Sequence, residues 1–102
     1  MIKVSFFRTG KIYLGFSVSG HAGYASYGED IVCAGVSSAV QLTANAITEV
    51  LKIPADVKAD NDKVYLRISN QEDAEPAQPF FEALLLHFKL LAEDYKGTIT
   101  VI

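Results

Sequence analysis

The sequence predicts an α+β protein, with a single mixed or antiparallel sheet and two helices packed on one face of it. Two observations predict this class. Apolar residues alternate with polar ones in several short segments, and they recur every three or four residues in two longer segments. The order of these segments is ββαββαβ. Because 102 residues are too few for two domains and no repeat or linker interrupts them, we expect one domain over residues 1–102.

The first part of the chain predicts a β-hairpin. Residues 2–8, with the sequence IKVSFFR, are typical of a strand, and residues 9–11 form a turn with glycine at its centre. Over residues 12–19 apolar side chains alternate with Tyr, Gly and Ser, which is the pattern of a half-buried strand. A break at Ser19 and Gly20 leads into a loop that extends to residue 29.

The pattern then changes to that of a helix. From Ile31 to about Lys52 the apolar residues recur at steps of three and four. Asp30 is placed to be the N-cap of this helix, and Pro54 marks its end because the residue before a proline disfavours helix.

The second half of the chain repeats the sequence of hairpin and helix. Residues 57–68 predict a hairpin, and the polar residues 71–79 predict a loop or a helix start. An apolar stripe over residues 81–95 predicts the second helix, which stops at Gly97. Residues 98–102 alternate again and predict a last strand.

The composition argues against several classes of protein. One cysteine excludes an internal disulfide framework and is typical of the reducing cytosol. The formal charge is −3 and no Lys/Arg cluster is present, so we expect no direct binding of nucleic acid. We find no apolar run long enough to cross a membrane and no secretion signal in the first residues. We therefore expect a cytoplasmic protein with no membrane partner.

His21 and Cys33 are the first candidate catalytic residues. With Asp30 as the N-cap, Cys33 is expected at the third helical position, beside unbonded amides and the positive end of the helix dipole. Such places favour a thiolate, which is the nucleophilic form of cysteine. An imidazole within hydrogen-bond reach can take the thiol proton and later give it to a leaving amine. The pair therefore predicts a cysteine hydrolase.

These residues also have ordinary structural interpretations. A lone cysteine is most often an inert core residue, and a lone histidine near a strand end commonly lies on the surface. Asp30 could cap the helix or orient His21. Ser37 follows Cys33 by one turn, and it could donate a hydrogen bond into the site or allow close packing of the helix.

The loop between the two candidate residues is interpreted as a flap over a peptide substrate. Its tyrosines could flank the peptide and its glycines would allow closure. The candidate substrate-binding residues are Ala22, Gly23, Tyr24, Tyr27 and Gly28. An ordinary surface loop would have the same composition.

No metal site is expected. A structural zinc needs four ligands, commonly in paired Cys or His spacing, and one cysteine with two distant histidines does not provide them. We interpret His87 as a half-buried packing residue of the second helix.

One family resemblance stands on the residues around this loop. Three short pieces and one serine resemble the signature of the ribosomal-processing cysteine protease family, called Prp: Gly20-His21-Ala22, Asp30, Val32-Cys33-Ala34 and Ser37. The chain length, the opening strand pair, the cysteine at a helix start and the closing helix and strand are also similar, so the resemblance covers essentially the whole chain.

The resemblance implies a function and roles for residues. It implies an α+β homodimer that removes a short N-terminal extension, ending in bulky aromatics, from a bacterial large-subunit ribosomal protein. Cys33 would be the nucleophile and His21 its base, and Gly20, Asp30 and Ser37 would match the other signature positions. The resemblance further implies a flexible loop that covers the site until substrate orders it, and neither a metal nor an organic cofactor.

Two other classes of function remain open. One is a non-catalytic dimeric module, associated with the ribosome, whose cysteine is structural or senses redox state. The other is an RNA-associated ribosome factor that shares only the fold, against which the acidic balance of the chain argues.

Overall fold

A computed structural model describes residues 1–20, 27–60 and 62–102 of the chain, and gives the backbone alone for residues 27–30. The element order ββαββαβ is confirmed. The strands are β1 (Ile2–Thr9), β2 (Ile12–Ser19), β3 (Ala55–Ala59), β4 (Lys63–Ile68) and β5 (Ile99–Val101), and the long helices are α1 (Tyr27–Asn45) and α2 (Gln78–Asp94). A π-helical turn, Ala46–Val50, extends α1, and two short 3₁₀ turns, Gln71–Asp73 and Glu75–Ala77, precede α2.

The five strands form one mixed sheet in the order β3-β4-β2-β1-β5. Strand β5 lies parallel to β1, and the other neighbouring pairs are antiparallel. Strands β1 and β2 form the predicted hairpin, and so do β3 and β4. Strand β2 pairs with both β1 and β4 in antiparallel fashion. The end of β2, the beginning of β1 and the beginning of β4 therefore lie side by side at the same end of the sheet.

Both helices bury their apolar sides in one core on one face of the sheet, as predicted. The strands supply alternate residues, such as Val4, Phe16 and Leu66, all fully buried. Phe81 and Phe88 of α2 are likewise fully buried. The ring centroids of Phe16 and Phe81 lie 6.3 Å apart, in the edge-to-face arrangement that aromatic pairs favour.

A glutamine joins α2 to the edge of the hairpin. The Tyr13 N–H donates to Gln78 Oε1 at 2.8 Å, and Gln78 Nε2 donates to the Tyr13 carbonyl, also at 2.8 Å. The register of β1 and β2 shifts between Phe7 and Arg8, beside this tyrosine. The Gln78 side chain therefore satisfies both polar backbone groups of Tyr13, which a strand neighbour would otherwise bond.

Element boundaries differ from the sequence prediction by a few residues. Helix α1 begins at Tyr27 rather than at Ile31, and α2 begins at Gln78, before the apolar stripe and within residues 71–79, which predicted a loop or a helix start. The added first turns are polar or hold glycine and proline, so they carry no apolar period by which to find them. With its π-helical extension the first helix ends at Val50, two residues before the predicted end near Lys52. Lys52 has φ 58°, a left-handed conformation common just after a helix.

The expectation that no apolar segment is long enough to cross a membrane is wrong. By length and composition alone, the helical segment Ile31–Val50 is long and apolar enough to cross a membrane. Core helices of folded proteins meet the same criterion, and Val32, Val36 and Val40 of this segment are buried in the protein core. The segment is therefore explained by its packing in this fold.

Candidate active site

A cavity of about 140 Å³ opens at the end of the sheet where β2 ends. Helix α1 contributes Cys33, Val36 and Ser37 to its wall, and Gly20 lies at the end of β2. The turn between β3 and β4 supplies further lining residues. Three of the residues predicted from the sequence, Gly20, Cys33 and Ser37, thus line one cavity.

The helix geometry presents Cys33 to this cavity. Cys33 and Ser37 are four residues apart, which places them on the same side of the helix. The neighbouring Val32 and Val36 are buried, so this side of α1 packs against the sheet at its apolar positions. The Cys33 side chain is a free, half-buried thiol, and it reaches the cavity rather than a sealed interior. A substrate group entering the cavity can therefore contact the sulfur.

The position of Cys33 within the helix differs from the prediction. It is the seventh residue of α1, not the third, because the helix begins at Tyr27. Only the first four amides of a helix lack an intrahelical partner, so the amide of Cys33 is not one of them. Cys33 lies about 4.5 Å along the axis beyond the fourth residue, at a rise of about 1.5 Å per residue. The dipole effect falls off within the first turn, so it acts more weakly on Cys33 than predicted.

The predicted N-cap is wrong for the same reason. Asp30 is the fourth residue of α1 and lies inside the helix, where it cannot cap the first turn. The pattern of an aspartate directly before an apolar period suggested a cap, but the polar segment before it is also helical. The alternative role of Asp30, orienting His21, stays a prediction.

Gly20 has a structural reason to be glycine. Its φ is +89°, a conformation that side chains rarely adopt, and a Cβ there would lie 2.4 Å from the carbonyl oxygen of Met1. Its N–H donates to the carbonyl oxygen of Asp62 at 3.0 Å. The start of β1 and the β3–β4 turn therefore hold Gly20 between them, directly before His21 in the chain.

Sequence reasoning missed the lining residues that the β3–β4 turn supplies to the cavity. Asp60, Asp62 and Lys63 line it from the β3–β4 turn, which the sequence identified only as a turn. The signal available was local: an aspartate before a two-residue turn commonly bonds the backbone that follows. Nothing in the sequence indicated that this turn would line a cavity together with α1, which lies earlier in the chain.

The remaining predicted residues are not placed together by the described part of the chain. Tyr27 and Gly28 belong to the first turn of α1, where only the backbone is described. His21, Ala22, Gly23 and Tyr24 lie outside the described residues.

His87 lies apart from this cavity. His87 is exposed on α2 and lines a groove between the two helices, so its half-buried packing role is wrong. Its position one residue before buried Phe88 turns it outward. Over residues 1–20, 27–60 and 62–102, no group of three or more His, Cys, Asp or Glu side chains is arranged to hold a metal ion.

Comparison with known proteins identifies relatives of the whole chain. Residues 1–100 match the family described as cysteine protease Prp. The ribosomal processing cysteine protease Prp of Bacillus subtilis is 30% identical over 93 residues, which cover 86% of this chain and 83% of that protein. An essential ribosomal processing protease Prp from S. aureus, solved in complex with a substrate peptide, has a TM-score of 0.87 at 25% identity, covering 100% of this chain and 98% of the other. The same protease with a covalently linked product peptide gives a TM-score of 0.85 at 26% identity, covering 99% and 97%.

Proposed function

This chain belongs to the Prp family of cysteine proteases, and we propose that it removes a short N-terminal extension from a bacterial large-subunit ribosomal protein. The observation that carries this proposal is the cavity at the end of β2, where the accessible thiol of Cys33 lies beside Gly20 and Ser37. A relative has been solved with a substrate peptide and with a covalently linked product peptide, and a covalent step at a cysteine explains such a product.

In the proposed reaction Cys33 is the nucleophile and His21 is its base. His21 takes the thiol proton, and the thiolate attacks the carbonyl carbon of the scissile peptide bond. The bond to the leaving amine breaks as His21 returns the proton to that amine, which frees the mature N-terminus. The extension is then held on Cys33 as a thioester. His21 next takes a proton from water, and the resulting attack releases the extension and restores the thiol.

Ser37 is proposed to stabilise the negative charge that forms on the carbonyl oxygen. The amides at the start of α1 lie in the turn before Cys33, whereas Ser37 lines the same cavity as Cys33. A hydroxyl donor aimed at a developing oxyanion acts in the transition state more than in the ground state. Asp30 is proposed to orient His21, and Gly20 to fix the backbone that leads into it.

The loop that follows Gly20 is proposed to bind the extension. The contacts to the peptide would come from Ala22, Gly23 and Tyr24 of this loop and from Tyr27 and Gly28 in the first turn of α1. Aromatic side chains in that loop suit an extension that itself ends in aromatic residues.

The setting of the enzyme completes the proposal. Residues 1–102 act as one protease domain in the cytoplasm, as a homodimer, with a ribosomal protein as substrate and without a metal, an organic cofactor, nucleic acid or a membrane. Its substrate is made in the cytoplasm, and a single free cysteine suits that reducing compartment.

Cleavage of a defined peptide tests this function. The peptide spans the extension and the mature N-terminus of the ribosomal protein from the same genome, and mass spectrometry reads the products. We expect wild-type protein to cut at one bond, and Cys33→Ala protein to lose at least about 10³-fold in rate because the nucleophile is gone.

Two outcomes would contradict the proposal. Cleavage by Cys33→Ala protein at the wild-type rate would exclude this cysteine as the nucleophile. A wild-type protein that cuts nothing, and whose Cys33 resists alkylation near neutral pH, would instead support the non-catalytic module.

A further inference from the structure

We propose that Asp60 is a positioning residue of this active site. Its side chain shapes the β3–β4 turn, and that turn holds Gly20 at the point where the chain enters the segment that begins with His21. The inference rests on the proposed function for its effect on catalysis, and it goes beyond the family signature, which contains no residue of this turn.

The first step is the turn itself. Asp60 Oδ1 accepts two backbone hydrogen bonds, from the N–H of Asp62 at 2.8 Å and from the N–H of Lys63 at 2.9 Å. The Asp60 N–H donates to the Lys63 carbonyl at 3.0 Å and closes the two-residue hairpin loop. One carboxylate oxygen therefore holds the N–H of Asp62 and the N–H of Lys63, and the latter belongs to the same peptide unit as the Asp62 carbonyl.

The second step joins the turn to the site. The Asp62 carbonyl oxygen accepts the Gly20 N–H at 3.0 Å. This bond extends the β2–β4 ladder beyond its last pair, Ser19 with Lys63, so it depends on where the turn directs the Asp62 carbonyl. Asp60 thus acts on Gly20 through two consecutive hydrogen bonds.

The third step is the constraint from the other side. The Met1 carbonyl lies so close to Gly20 that a Cβ would stand 2.4 Å from its oxygen. Gly20 therefore lies between two carbonyl groups: that of Asp62 in the turn accepts its N–H, and that of Met1, directly before β1, leaves no room for a side chain. We call this arrangement the clamp. Moving the turn releases one side of this clamp.

The clamp and Cys33, the nucleophile of the proposed reaction, share one cavity. Asp60, Gly20 and Cys33 all line the cavity of about 140 Å³. A catalytic base must be held within a fraction of an ångström, because displacement by about 1 Å can lower a rate about 10²-fold. Gly20 is joined by a peptide bond to His21, the base of the proposed reaction, so we expect a change in the position of Gly20 to act on catalysis through the residue that follows it.

The experiment compares three variants in peptide cleavage. Asp60→Ala removes the acceptor, whereas Asp60→Asn keeps an oxygen that can accept both amide hydrogens. Asp56→Ala is the matched control, because Asp56 lies exposed in the same hairpin and pairs with the exposed Lys58, at 4.0 Å. A second readout, hydrogen exchange of the Gly20 amide measured by NMR, needs no substrate.

We expect Asp60→Ala to lower kcat about tenfold with KM changed less than about twofold, and to speed exchange of the Gly20 amide about tenfold. Asp60→Asn should stay within about twofold of wild type in both readouts, and Asp56→Ala should match wild type.

The inference is overturned if Asp60→Ala keeps wild-type kcat, if its Gly20 amide exchanges at the wild-type rate, or if Asp60→Asn is as impaired as Asp60→Ala. A wild-type protein that cleaves no peptide would contradict the proposed function instead. In that case an unchanged Gly20 exchange rate in Asp60→Ala would still reject the clamp on its own.

Discussion

At the scale of single residues, Gly20 shows two independent constraints at one position. The backbone conformation, with φ +89°, disfavours any side chain, and the Met1 carbonyl occupies the place a Cβ would take. Gly10 has the first constraint without the second, since its φ is +61° and nothing lies within 4 Å of its Cβ position. The two glycines therefore separate conformational strain from steric overlap.

Replacing each glycine by alanine should separate these contributions to stability. We expect Gly10→Ala to lower the free energy of unfolding by about 1 kcal/mol, from backbone strain alone. Gly20→Ala should lower it by about 3 kcal/mol, because strain and overlap with the Met1 carbonyl add. Urea denaturation followed by circular dichroism measures both. Equal losses for the two variants would contradict the close approach of Met1.

A pair of adjacent serines tests the role given to Ser37. Ser37 lines the cavity with Cys33, whereas Ser38 lies in the groove between the two helices. Loss of an oxyanion donor lowers kcat by about 10²-fold, so we expect that decrease for Ser37→Ala and little change in KM. Ser38→Ala should keep wild-type kinetics, since both serines are exposed and Ser37, but not Ser38, is among the residues that line the cavity with Cys33. Identical kinetics in the two variants would leave Ser37 a packing residue.

At the scale of elements, residue patterns predict which side of each helix and strand is buried, but they do not predict which elements contact one another. The stripe with Phe81, Leu84 and Phe88 predicted the buried side of α2, and all three are buried. The alternation over residues 12–19 likewise predicted β2. Such patterns repeat within one element, so they can be found without knowledge of the fold.

The candidate site could be predicted only in part. Gly20, Cys33 and Ser37 were found from their sequence, and the fold brings them to one cavity. The helix start was misplaced because its first turn has no apolar period. Asp60 was missed because its hydrogen bonds are local, while its contact with the site depends on the pairing of β2 with β4. A tertiary contact of that kind leaves no periodic signal in a single sequence.

The bond between α2 and the hairpin should be worth a measurable free energy. Gln78→Ala leaves the N–H and the carbonyl of Tyr13 without their side-chain partner in a half-buried place. We expect unfolding to become easier by about 2 kcal/mol, which is typical for unpaired buried polar groups. Gln41→Ala, at an exposed position of α1, should change stability by less than about 0.5 kcal/mol. Chemical denaturation of both variants tests this, and a Gln78→Ala protein as stable as wild type would refute it.

Two neighbouring phenylalanines test which side of α2 the core holds. Phe81 is fully buried against Phe16 and Tyr13, whereas Phe80 is 38% exposed. Phe81→Ala should cost about 4 kcal/mol in unfolding free energy, from lost burial and the cavity left behind. Phe80→Ala should cost less than half as much. Similar losses, measured by thermal denaturation, would contradict the assignment of the buried side.

At the scale of the whole molecule, the two ends of the described chain meet in the sheet. The Ile2 N–H donates to the Thr98 carbonyl at 2.9 Å, and the Ile102 N–H donates to the Val4 carbonyl at 2.7 Å. The outer strands β3 and β5 are short, and Ile102 at the end of β5 is 79% exposed. An apolar residue at an open strand edge favours contact with another chain.

The proposed homodimer rests mainly on the family resemblance, and this exposed apolar residue is its physical support. Sedimentation equilibrium should give a mass of about twice the 11.1 kDa chain. Ile102→Lys should shift the protein toward the monomer, because a charge at the edge opposes pairing. A single 11.1 kDa species for the wild type at micromolar concentration would rule out a stable dimer.

The most direct test of the central claim is to trap the intermediate on the sulfur. Wild-type protein is mixed with the extended peptide, quenched in acid within the first turnover and analysed by intact-mass and fragmentation mass spectrometry. The account predicts a protein heavier by the acyl group of the extension, attached at Cys33, and no such species in Cys33→Ala protein. Attachment at another residue, or continued cleavage by Cys33→Ala protein, would contradict it.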